Sequence, residues 1–174
     1  MSLATDVAGA IRDVPDFPKP GILFKDITPV LLDPALFRRV TDALAAPFSG
    51  DAITHVVAVE SRGFILGAPV ALRLGAGLVP VRKPGKLPAA RERVEYQLEY
   101  GTDALEMHAD ALPTGARVLV VDDVLATGGT AAAACRLVEQ VGARVIGLSF
   151  LMALGFLDGA AELKGRRVET IVTV

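Results

Sequence analysis

The sequence predicts an α/β fold with a central, mainly parallel sheet flanked by helices, and three observations carry that prediction. Short apolar runs rich in β-branched residues alternate with helical segments along most of the chain. The runs Ile53 to Val59, Leu78 to Val81, Val118 to Val121 and Val145 to Met152 are mostly apolar, as strands covered on both faces require. Charge follows two of them directly, as Glu60-Ser61-Arg62-Gly63 and as Asp122-Asp123, where open parallel sheets bind ligands.

Each element has a local reason. Ala4 to Ile11 reads as a short amphipathic helix. Asp13 to Gly21 contains three prolines, which argue against both helix and ladder and predict an ordered arm or lid support. Asp33-Pro34 is an N-cap followed by proline at the first helical position, opening a helix to about Ala46. Helices Phe64 to Leu74 and Thr130 to Val141 follow the first and third core strands. Lys83 to Arg93 is a polar loop with basic residues, proline and glycine. Val94 to Tyr100 and Ala104 to His108 alternate as a paired antiparallel ribbon does. With 174 residues, 52% of them apolar, the chain fits one domain, 1–174, without repeats.

Composition narrows the function. A net charge of −2 argues against a general nucleic-acid binder. The single cysteine, Cys135, cannot form an intrachain disulfide, and on the helix after the Gly/Thr loop it reads as a buried structural thiol. Such usage suits a reducing cytosol, so a cytoplasmic protein is expected. Asp6, Arg12 and Asp13 leave no secretory apolar stretch, and Val145 to Leu157 is too short and glycine-interrupted to span a bilayer.

Residues 118–130 carry the most chemistry. The strand runs into Asp122 and Asp123, then Ala126-Thr127-Gly128-Gly129-Thr130, then an alanine-rich helix. Glycines admit close backbone approach to an anion, and a helix start offers free N–H groups. The loop therefore suits a phosphate monoester, and the acids can accept hydrogen bonds from sugar hydroxyls. Together they describe a ribose 5-phosphate. Taken singly, a Gly-Gly turn or an acidic helix cap is commonplace; the combination is the signal. No Walker A pattern exists, and Gly75-Ala76-Gly77 lacks the third glycine of a dinucleotide fingerprint.

Other clusters are weaker alone. Ser61 and Arg62 predict a second anion site beside the first. Arg82, Lys83 and Lys86 form a basic cluster that is either a solvated face or part of a lid over a charged substrate. By pattern Glu99 is an exposed strand residue, and His55 and His108 are ordinary strand histidines. No zinc or calcium cage is visible.

With these residues laid out, the chain resembles the type I phosphoribosyltransferases, and closely the adenine phosphoribosyltransferases. Val118–Thr130 matches the ribose-phosphate signature, and Pro15–Pro29, Glu60–Phe64, Arg82–Pro88 and Tyr96–Gly101 look like the adenine branch. The resemblance implies a type I phosphoribosyltransferase-like fold with a small N-terminal base-binding hood (1–33) and a flexible catalytic lid loop (83–100). It implies Mg²⁺-dependent reaction of adenine with 5-phosphoribosyl 1-diphosphate (PRPP), giving AMP and diphosphate in purine salvage. In that frame Ala126, Thr127, Gly128, Gly129 and Thr130 would cradle the 5-phosphate and Asp122 and Asp123 would bind ribose. Ser61, Arg62, Arg82, Lys83 and Lys86 would hold diphosphate. Leu23, Phe24 and Lys25 would bind adenine, Phe24 by stacking, and Glu99 would handle its proton. It also implies a cis Glu60–Ser61 peptide, Mg²⁺ held mainly by substrate rather than by protein alone, and a homodimer in which Arg82 serves the neighbouring site. Two other readings compete: a phosphoribosyltransferase for another purine base, and a PRPP-sensing regulator that binds nucleic acid. The net acidity and the absence of a DNA-binding appendage weigh against the second.

Overall fold

The computed structural model describes residues 2–97 and 101–174. In chain order the elements are α1 (Leu3–Ala10), β1 (Arg12–Pro15), β2 (Leu23–Asp26), α2 (Thr28–Leu32), α3 (Pro34–Ala45), β3 (His55–Val59), α4 (Arg62–Leu74), β4 (Gly77–Val81), β5 (Arg91–Gln97), β6 (Thr102–His108), β7 (Arg117–Leu125), α5 (Gly129–Gln140), β8 (Arg144–Ala153) and β9 (Val168–Thr173). Short 3₁₀ turns occupy Ala46–Phe48, Gly155–Leu157 and Gly159–Leu163.

Five strands form one parallel sheet in the order β4-β3-β7-β8-β9. Strand alternation divides the core between its faces. Val57, Val59, Val118, Val120, Leu148 and Phe150 pack with α5 and the β5–β6 ribbon. Val56, Leu119, Val121, Leu151 and Met152 pack with the helices of the N-terminal half. From β3 the chain steps outward to β4, whereas β7 lies on the other side of β3 and leads on to β8 and β9. Strand order thus reverses between β3 and β7, and the carboxyl ends of those two strands open a crevice. The register Ala58↔Val121 brings Glu60–Arg62 and Asp122–Asp123 out side by side.

Three expectations are corrected. The proline-rich arm does form a ladder: β1 pairs antiparallel with β2 from Arg12↔Asp26 to Pro15↔Leu23. Pro15 sits at the strand end, and Pro18 and Pro20 fall in the connection, so no interior ladder N–H is lost. β5 begins at Arg91, within the stretch read as loop, and buries Val94 and Tyr96. β7 does not stop at Val121. It runs to Leu125, because β8 continues to pair with it at Val124↔Met152 and Leu125↔Ala153.

Among the described residues no helix is long and apolar enough to cross a membrane.

Candidate active site

A cleft of about 340 Å³ lies at the reversal point, bounded by the ends of β3 and β7 and by the start of α5. α5 begins at Gly129 behind Gly128, whose φ of +86° is left-handed backbone open to glycine, and no side chain caps the helix. Its leading N–H groups therefore face the cleft with their hydrogen-bonding capacity intact. The loop is braced from behind: a Cβ on Gly128 would lie 2.3 Å from the Gly159 carbonyl oxygen, and one on Gly159 2.2 Å from that of Ala126. Only glycine at both places lets the C-terminal turn press against this loop.

The acidic pair is asymmetric. Asp123 is only 3% exposed and accepts a hydrogen bond from Arg62 Nε at 2.5 Å. Asp123 is buried because β7 continues past it to Leu125. Asp122 lines the cleft and its Oδ1 accepts the Asp123 N–H at 2.9 Å. Burial, and then the neighbouring Asp123 carboxylate, push the Asp122 carboxyl well above the usual range. Gly63, at the start of α4, permits this closeness, because a Cβ there would lie 2.7 Å from Asp122 Oδ1.

Arg62 joins two regions. Its guanidinium carbon lies 5.1 Å from the Phe24 ring centroid, and Phe17 packs edge-on against Phe24 at 5.1 Å. Lys83 also lines the cleft, and its ammonium is held by Asp103 and by the Tyr96 hydroxyl, the latter at 3.1 Å. Glu60 binds the next segment, accepting from Lys83 N at 2.8 Å and Arg82 Nε at 3.1 Å. The Glu60–Ser61 peptide is cis.

A cleft lined by free helix-start amides, two carboxylates, Arg62 and Lys83 has groups for an anionic sugar phosphate at both its ends. Relatives agree with that chemistry. A family model described as the phosphoribosyl transferase domain matches residues 30–168. An adenine phosphoribosyltransferase of Myxococcus xanthus is 60% identical over 172 residues, covering 99% of this chain and 94% of its own. The chain belongs to the adenine phosphoribosyltransferase family. The fold concurs: the Rhodothermus marinus adenine phosphoribosyltransferase superposes with a TM-score of 0.96 at 54% identity, covering 99% of this chain and 98% of that one. The Saccharomyces cerevisiae adenine phosphoribosyltransferase, solved with an iminoaltritol bisphosphate and adenine, gives 0.91 at 43% identity over 97% and 98%.

The residues singled out from sequence fall in several places. Ser61, Arg62, Lys83, Asp122, Asp123, Ala126, Thr127, Gly128 and Thr130 line the one cleft. Gly129 lines an adjoining cleft with Thr127 and Tyr96. Leu23, Phe24 and Lys25 lie on β2, where Phe24 meets Arg62, Lys25 pairs with Asp13 at 2.6 Å, and Leu23 is half exposed. Arg82 is engaged by Glu60, and Lys86 is exposed, its carbonyl accepting from Arg82 Nη1 at 3.4 Å. Glu99 lies outside the described residues. Sequence reading passed over Glu60, Tyr96 and Asp103 as site residues. Glu60 and Tyr96 each stood in a quoted motif, but Tyr96 and Asp103 meet only through ribbon register.

Proposed function

We propose that the cleft between β3 and β7 is where the protein binds PRPP, with the base held by β2 beside Arg62 of α4. The enzyme is a pentosyltransferase of purine salvage that converts adenine and PRPP to AMP and diphosphate. The observation that carries the site assignment is the uncapped start of α5 lying beside Asp122 and Asp123 in one cleft. In this reading the amides and hydroxyls of 126–130 hold the 5-phosphate, while Asp122 and Asp123 accept from the ribose hydroxyls. Arg62, Ser61, Lys83, Lys86 and Arg82 serve the departing diphosphate. Phe24 stacks on adenine with Leu23 and Lys25 at its edges, and Glu99 handles its proton.

Displacement at the anomeric carbon leaves positive charge on the sugar and negative charge on diphosphate. The carboxylates stabilise the first and the cations the second. Hard carboxylate oxygens at the cleft wall suit Mg²⁺, and Asp122 would be the side chain to meet it, since Asp123 is engaged by Arg62. When bound, Mg²⁺ supplies charge neutralisation on PRPP oxygens, which provide most of its ligands. In this reading segment 83–100, a lid whose Arg91–Gln97 part is strand β5 rather than loop, closes over the reactants, and residues 1–33 form the hood. Exclusion of water by that closure protects the activated ribose. The working enzyme is a cytoplasmic homodimer with no nucleic-acid or membrane partner.

The test is product analysis of adenine plus PRPP with and without Mg²⁺. AMP and diphosphate in equal amounts, dependent on Mg²⁺, are expected. Turnover of hypoxanthine with none of adenine would overturn the base assignment.

A further inference from the structure

The ribbon β5–β6 reaches the cleft through one rung. Tyr96 and Asp103 are directly opposite in the antiparallel register, so both side chains rise from the same place. Both bind Lys83, and the Tyr96 hydroxyl also lies 3.3 Å from Asp103 Oδ2 and 3.4 Å from Thr130 Oγ1. Thr130 belongs to the first turn of α5, behind the phosphate loop. A lysine from the segment after β4 is thus tied to the ribbon and, through Tyr96, to the helix start.

We propose that Asp103 is a positioning residue that acts through Lys83, fixing its ammonium at the cleft wall for the diphosphate end of PRPP. The proposal rests on the assignment of Lys83 to diphosphate made above. An ammonium has three donors. Asp103 and Tyr96 take two, leaving the third for a substrate oxygen in the cleft that Lys83 lines. A free lysine would lose the freedom of four rotatable bonds on binding PRPP; one already tethered has lost most of it beforehand. The pair is a poor stabiliser of the fold, since the Lys83 and Asp103 side chains are 39% and 29% exposed. Its consequence therefore falls on binding.

The experiment is a double-mutant cycle of Asp103→Asn and Lys83→Met, with PRPP varied at saturating adenine and Mg²⁺. Lys83→Met is expected to raise KM for PRPP, and Asp103→Asn to raise it roughly fivefold with kcat changed less. In the Lys83→Met background Asp103→Asn adds nothing. A wild-type KM in Asp103→Asn beside a raised one in Lys83→Met overturns the role of Asp103 alone. Equal effects of Asp103→Asn in both backgrounds do the same. An unchanged KM in Lys83→Met removes the diphosphate role of Lys83 and, with it, the reason for Asp103.

Discussion

Asp122 and Asp123 are neighbours in one strand, yet their surroundings give them different work. Asp123 is buried and matched to Arg62, so its carboxylate is neutralised before any ligand arrives. Asp122 accepts a backbone N–H and, among the described residues, has no cation within hydrogen-bond reach, and its proton is held more tightly than in a free carboxylic acid. The sign of the pH effect follows. Above the ordinary carboxylate range the unfolded chain has released this proton while the folded chain retains it. Asp122 therefore makes stability fall as pH rises through that window. Asp122→Asn abolishes this contribution, so the Tm difference between variant and wild type should move in the variant's favour from about pH 4 to about pH 7. Thermal unfolding at several pH values checks it, and a constant difference refutes it. Asp123→Asn should instead cost about 1–2 kcal/mol at neutral pH, less than for a fully buried pair because Arg62 is 38% exposed. Loss of PRPP binding should accompany it in a titration calorimeter.

Among the elements, the C-terminal turn has the least expected task. Sequence reading assigned no element after Met152, yet Gly159–Leu163 stands directly behind the phosphate loop. Arg166 then pins the turn's exit to α5 through a two-pronged pair with Glu139, at 2.7 and 3.1 Å. Gly159→Ala should force a shift against the Ala126 carbonyl, costing about 2 kcal/mol or roughly 5 °C in Tm. It should also raise KM for PRPP more than that for adenine; equal effects on both substrates would show the turn to be a general support. Legibility varied by element for physical reasons. Apart from the end of β7, the four core strands and α3, α4 and α5 lie within about two residues of their sequence-read bounds, because burial imposed apolar runs and caps imposed ends. β9 went unread because it is a half-buried edge strand without a strong pattern, and β2 because prolines crowd its partner. The end of β7 was misread because pairing with β8 outweighs the local preference of two acids for a turn.

In the molecule as a whole, site and topology are one arrangement. The sheet reverses order at a single place, and the motifs after β3 and β7 meet there because neighbouring strands end together. The phosphate loop and acid pair were readable because their chemistry is local: glycine, hydroxyl and carboxylate follow one another in the chain. The Asp103–Lys83–Tyr96 contact was not, because its members come from two separate segments and join only in space. Cys135 illustrates the complementary case. It is wholly buried on α5, and burial pushes its thiol up to about 11, so it should resist alkylation in the native enzyme at neutral pH. Labelling before and after denaturation measures this, and rapid native labelling would show that α5 opens locally.

A crystal structure of the enzyme with AMP tests the central claim most directly. The account predicts the 5′-phosphate against the amides of residues 127–130, the ribose hydroxyls on Asp122 and Asp123, and the base beside Phe24. Nucleotide bound elsewhere, with that loop empty, would contradict it.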